Sequence, residues 1–207
     1  MKYLKLFKWK IFALTGAVCF LPVIPGLILW DRLPESIPIH FDINNNPDNF
    51  ASKGFFVFAM PVIMVLFQFI SCLVCDINNE KHGESKRFTA VAKWIIPVLT
   101  VLLQTMTFAF SLGYKVDIRV GAVLIVGCMF IALGNYLPKL NYVKNYKIDT
   151  VKARKINRFT GISMVILGAL FVVSAFLPTV FSVICLCLLI PYSVVLVCYM
   201  AYVIKKK

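Results

Sequence analysis

Ile11-Phe-Ala-Leu-Thr-Gly-Ala-Val-Cys-Phe-Leu-Pro-Val-Ile-Pro-Gly-Leu-Ile-Leu-Trp30 is an unbroken run of 20 residues without a charge. An α-helix needs about 20 consecutive apolar residues to cross the hydrocarbon core of a bilayer. Five more such runs follow, at roughly 55–75, 94–112, 118–137, 159–177 and 181–203. The chain of 207 residues is 60% hydrophobic, with a mean hydropathy of +0.85, whereas a soluble domain is nearer half apolar. The expected fold is therefore all-α: an integral-membrane six-helix bundle forming one membrane domain over residues 1–207. The first run is too long for a signal-peptide core, and no small-residue cleavage site follows it, so it reads as an uncleaved first helix.

A net charge of +13 suggests nucleic acid until the charges are placed. Lys2, Lys5, Lys8 and Lys10 precede the first run, and Lys81, Lys86, Arg87 and Lys93 separate runs two and three. Lys139, Lys144, Lys147, Lys152, Arg154, Lys155 and Arg158 separate runs four and five, and Lys205, Lys206 and Lys207 end the chain. Eighteen of 22 basic residues thus fall in alternate loops. The positive-inside rule puts those loops and both termini in the cytoplasm, with anionic lipid headgroups as their partners and no direct nucleic-acid binding. The inner loops are then about 76–93 and a basic loop at 138–158, both polar enough to be partly helical or disordered.

The spans carry packing marks rather than catalytic ones. Gly127 and Gly134 are seven residues apart, as are Gly161 and Gly168, a spacing that returns to one helix face and admits a close neighbour. Pro22, Pro25, Pro61, Pro97 and Pro191 lie within spans and are expected to kink or break them. No span has a charged residue or histidine in its middle, which argues against a pump or coupled transporter. Gln68, Gln104 and Asn135 are the strongest polar groups inside the spans, suited to hydrogen bonds between helices or to lining a small cavity. All seven cysteines fall within spans, so no disulfide is implied. Cys72-x-x-Cys75 with His82 lacks a second pair of zinc ligands, and buried apolar packing is the better reading. No metal site, cofactor or enzymatic motif is expected.

The one large polar segment is Asp31-Arg-Leu-Pro-Glu-Ser-Ile-Pro-Ile-His-Phe-Asp-Ile-Asn-Asn-Asn-Pro-Asp-Asn-Phe-Ala-Ser-Lys-Gly54, an outer loop by the charge rule. It holds four of the nine acids, three of the ten prolines and one of the two histidines. Pro34 and Pro38 stiffen its start. Ile37, Ile39 and Phe41 alternate with Ser36, Pro38 and His40, as in a short strand. Asn44-Asn-Asn-Pro47-Asp48 reads as a turn, since asparagine tolerates the left-handed backbone. Ser52 is placed to cap the following helix, and Lys53 to lie at the membrane interface. A compact extracellular hairpin results, with Ile39, Phe41 and Phe50 expected to pack downward and His40 brought beside Asp48. The hydrogen-bonded pair either locks the turn or meets a ligand.

Leu33-Pro-Glu-Ser-Ile-Pro-Ile-His-Phe41, followed by Asn46-Pro-Asp-Asn-Phe-Ala-Ser-Lys53, resembles the outer-loop signature of the SdpI-like bacterial membrane proteins. Gly134-Asn-Tyr-Leu-Pro-Lys139 resembles that family's second motif. The resemblance marks Pro34, Pro38, Pro47, Gly134, Asn135, Tyr136 and Pro138 as structural positions. It implies a multi-pass protein of the bacterial plasma membrane that gives immunity to a secreted peptide toxin. It also implies signalling, in which a cytoplasmic repressor is held at the membrane, here at loop 138–158. Two departures stand out. Asn44-Asn-Asn46 replaces the family's turn glycine. Leu140-Asn-Tyr-Val-Lys-Asn-Tyr-Lys-Ile-Asp-Thr150 replaces a Gly-Ile-Arg-Thr-Pro-Trp-Thr-like segment, a change that bears on signalling rather than on immunity.

The expected toxin site is His40, Phe41, Asp48, Ser52 and Lys53. A rival reading is a transporter or channel for a small solute around Gln68, Gln104 and Asn135. Another is a regulatory membrane protein with no toxin ligand.

Overall fold

A computed structural model describes residues 6–82, 85–140 and 149–205. Lys2, Lys5, Lys144, Lys147, Lys206, Lys207 and the side chains of Lys81 and His82 lie outside the described residues, as does segment 141–148 of the basic loop. Six helical stretches are long and apolar enough to cross a membrane: Trp9–Ile28, Phe55–Asn79, Lys86–Ser111, Ile118–Lys139, Thr150–Ser174 and Thr179–Lys205. The chain divides into two compact units, Met1–Asp76 with Lys93–Ala122, and Ile77–Ala92 with Val123–Lys207.

In the first unit the opening span is two helices, α1 (Trp9–Cys19) and α2 (Val23–Ile28). The break falls just before Pro22, which has no N–H to continue the ladder; Phe20 and Leu21 instead donate to carbonyls three residues back. Strands β1 (Ser36–Phe41) and β2 (Pro47–Ser52) follow as an antiparallel pair. A π-helical turn at Phe55–Ala59 leads into α3 (Met60–His82). Pro61 explains it, since its missing N–H removes a normal α-helical bond at that point. Helix α4 (Lys86–Ser111) carries Pro97 without interruption, and α5 (Ile118–Tyr136) begins in this unit. Leu33, Ile37, Phe56, Val57 and Phe108 form a buried core where the hairpin meets the helices. Phe56 and Phe108 meet edge to face at 5.3 Å, a favourable aromatic geometry.

The polar stretch 76–93, expected as an inner loop that is partly helical or disordered, is largely helical among the described residues: α3 runs on to His82 and α4 starts at Lys86. Lys93, expected in that loop, is fully buried in α4 and paired with Asp76 of α3 at 2.6 Å. An amphipathic helix end can carry polar residues inward wherever a partner awaits them, and hydropathy averaging does not register this.

In the second unit, the latter part of α5 runs into a 3-10 turn at Leu137–Lys139. Helix α6 (Thr150–Ser174) begins inside the expected basic loop, capped by Asp149, whose carboxylate accepts the Val151 N–H at 3.2 Å. Lys152, Arg154, Lys155 and Arg158 are therefore helical residues. Helices α7 (Thr179–Cys187) and α8 (Leu189–Lys205) form the last span, broken just ahead of Pro191. Helices α5 and α6 approach backbone to backbone at two levels. A Cβ added to Gly127 or Gly168 would lie within 2.8 Å of the other's carbonyl oxygen, and one added to Gly134 or Gly161 within 2.6 Å. The seven-residue glycine spacing thus pairs in antiparallel sense, as close helix packing in apolar surroundings requires.

Candidate binding site at the hairpin

The hairpin ladder pairs Ser36 with Ser52, Ile37 with Ala51, Pro38 with Phe50, His40 with Asn49 and Phe41 with Pro47. Ile39 and Asp48 are the extra residues, one bulging from each strand. The two offset each other, so the ladder closes in register, and Asp48 is left free to lean toward His40. His40 Nδ1 and Asp48 Oδ1 are 2.5 Å apart on an exposed surface.

Alternation decides which apolar side chains face the helices. Ile37 is fully buried. Phe50, opposite the next residue along β1, belongs to the other face and is exposed, contrary to its expected downward packing. Phe41 is half-buried and meets Phe110 of α4 edge to face at 4.9 Å.

The turn is built from side-chain hydrogen bonds. Asp42 Oδ1 accepts the N–H groups of Asn44 and Asn46 at 2.8 and 2.7 Å, and Oδ2 accepts the Asn46 amide at 3.2 Å. The Asn46 bonds, backbone first, hold the Asp42 carboxyl below the usual carboxylate range, with Asn44 adding to the effect. Asn45 takes φ 65°, the left-handed conformation that a glycine adopts most readily and that asparagine tolerates. Its carboxamide reaches the neighbouring turn: Nδ2 donates to the Val116 carbonyl at 3.1 Å and Oδ1 accepts the Ile118 N–H at 2.8 Å. Asn45 thus bolts the hairpin tip to the start of α5 and satisfies one of that helix's unpaired first-turn donors.

Of the expected site residues, His40, Phe41 and Asp48 lie together near the tip. Ser52 and Lys53 lie at the base and do other things. Ser52 Oγ accepts the Phe55 N–H at 3.3 Å. Lys53 is buried within the protein: its Nζ donates to Glu35 at 2.8 Å and to the Trp30 carbonyl at 3.1 Å, and lies 4.7 Å from the Trp30 ring centroid. A carboxylate, a carbonyl and an aromatic face give this ammonium more than the interface offers.

The polar groups inside the spans do three different things. Gln68 is fully buried and its Nε2 donates to Thr15 Oγ1 and to the Lys93 carbonyl, each at 2.8 Å. Gln104 lines a cavity of about 190 Å³ beneath the hairpin, with Ile39, Phe41, Met60 and Met64 among its walls. Asn135 is exposed on α5.

A family model described as "Domain of unknown function (DUF1648)" matches residues 17–65, which take in the hairpin and the helices that lead into and out of it. Immunity protein SdpI of Bacillus subtilis (strain 168) is 29% identical over 198 residues, covering 92% of this chain and 93% of the relative. Along nearly all of its length the chain is similar to this immunity protein. No solved structure matches it. With six spanning helices and this relative, it is a multi-pass protein of the bacterial cell membrane.

The segment Gly134–Lys139, expected to be a second family motif, closes the α5–α6 seam: a Cβ on Gly161 would lie 2.6 Å from Pro138 as well as from Gly134. Tyr136 receives the Lys139 ammonium 4.8 Å from its ring centroid. Sequence reasoning missed three features of this chain: the Asn45 clamp, the Asp76–Lys93 pair and the isolation of Gln104. The only signal for Asn45 was three asparagines in a row. For the other two there was a charge at each edge of adjacent spans and a lone glutamine within an apolar stretch.

Proposed function

We propose that this protein is a non-enzymatic immunity protein, which protects the membrane that carries it from a secreted peptide toxin by capturing the toxin at the hairpin. The similarity to Immunity protein SdpI across nearly the whole of both chains carries the reading. In the proposed orientation the hairpin faces outward and both termini face the cytoplasm, following the distribution of basic residues. His40, Phe41 and Asp48 make the contact surface. Ser52 and Lys53 hold the base of the hairpin, and Asn45 its tip. A hairpin fixed at both ends loses little conformational freedom on binding, which favours affinity.

Expression in a toxin-sensitive bacterium tests the proposal. Cells carrying the wild-type protein are expected to survive toxin, and His40→Ala, Phe41→Ala and Asp48→Ala to lower resistance at unchanged membrane levels. Full resistance in all three variants would refute the assigned contact surface.

A regulatory role is a second proposal. The basic residues Lys152, Arg154, Lys155 and Arg158 begin helix α6, so segment 138–158 offers a repressor a cationic helical end beside anionic lipid. Scrambling 138–158 and measuring co-purification of cytoplasmic proteins separates recruitment from lipid contact.

A further inference from the structure

Gln104 differs from every other buried amide described above in what surrounds it. It is 4% exposed, and neither its Oε1 nor its Nε2 meets a hydrogen-bonding partner among the described residues. Each unpaired buried polar group costs about 1–3 kcal/mol. The side chain faces a cavity whose walls include Ile39 and Phe41 of the hairpin and Met60 and Met64 of α3, with no charged residue among them.

We infer that this cavity is a seat for one apolar side chain of a peptide, held through the peptide's own amide. The carboxamide of Gln104 presents a donor and an acceptor side by side. A neutral amide satisfies both: Nε2 donates to its carbonyl and Oε1 accepts its N–H. A carboxylate would leave Oε1 unmatched, an ammonium would leave Nε2 unmatched, and either would bring a charge into apolar walls at high cost. Size sets the rest. An apolar cavity of about 150 Å³ accepts benzene, so 190 Å³ accommodates an aromatic or branched aliphatic side chain. Met60 and Met64 supply walls that adapt to the shape of the guest. Ile39 and Phe41, half-buried or more exposed at the hairpin, place the entrance beside the proposed toxin surface. The identity of the peptide rests on the toxin-capture reading; the existence of the seat does not.

The test uses the full chain in lipid nanodiscs with 13C-methyl methionine, and 3-phenylpropionamide as probe against its methyl ester, which lacks the N–H. Saturable shifts of the Met60 and Met64 methyl resonances are expected with the amide. At least about fivefold weaker binding is expected with the ester, and for the amide with Gln104→Leu, as loss of one or two net hydrogen bonds implies. Gln104→Leu should also raise the unfolding temperature, because it removes an unpaired amide; a structural glutamine would show the opposite. No saturable shift, equal binding of amide and ester, or a lowered unfolding temperature would overturn the seat, leaving a cavity filled by water or acyl chains alone. Toxin resistance is read separately. Resistance retained by Gln104→Leu without probe binding sinks the seat and spares the immunity reading. Gln104-dependent probe binding in a wild-type protein that gives no resistance does the reverse.

Discussion

Lys93 and Asp76 show how one pair of residues can sit within an apolar helix pair and still be stable. Each side chain is 1% exposed, and they meet at 2.6 Å. The second carboxylate oxygen is also used, since Asp76 Oδ2 accepts the Lys8 backbone N–H at 3.0 Å, and the Lys93 backbone carbonyl accepts Gln68. A buried ion pair gains little over apolar packing, but losing one partner leaves an uncompensated charge. Lys93→Met is therefore expected to destabilise the protein by about 3–5 kcal/mol. Lys93→Met with Asp76→Leu should recover most of that loss, with unfolding followed by circular dichroism in detergent. Equal loss in the single and double variants would show that the pair contributes through something other than charge compensation. The sequence showed both residues at span edges, where hydropathy assigns them to water. Only the facing helix decided that they point inward.

At the scale of elements, the α5–α6 seam and the hairpin contrast in how much the sequence revealed. Paired glycines seven residues apart announce a close helix contact because the smallest residue, repeated on one helix face, lets a neighbouring backbone approach. Gly161→Val is expected to force the helices apart, costing about 1–3 kcal/mol as overpacking does and lowering the folded fraction in gel filtration. Gly54→Val is the control. Its added Cβ meets nothing within 4 Å and its φ is −61°, so near-wild-type behaviour should follow; matching damage in both variants would show that the seam is not the cause. In the hairpin, alternation and the asparagine run foretold a strand and a turn. Its two bulges were not legible, because a bulge is chosen by how the ladder must fit what lies beneath it. Phe50 consequently faces out, and Asp48 is left free to meet His40.

Across the whole molecule, charge asymmetry predicts orientation. A cysteine placed at Asp48 should react with a membrane-impermeant maleimide in intact cells, and one at Lys86 only after permeabilisation; the reverse pattern would invert the proposed topology and remove the toxin surface from the outside. Apolar run lengths alone determined six spans, because bilayer thickness fixes the length that a helix must have. The resemblance to an immunity protein was likewise legible, since contiguous residues carried it and the family model matches residues 17–65. What the tertiary structure alone decided was the environment of each polar group. Lys53 found a carboxylate and an indole, Lys93 found Asp76, Asn45 found the start of α5, and Gln104 found a cavity with no protein partner. The reason is physical: the length of an apolar run is a local property of the chain, whereas satisfying a hydrogen bond or a charge depends on groups distant in sequence that only packing brings near.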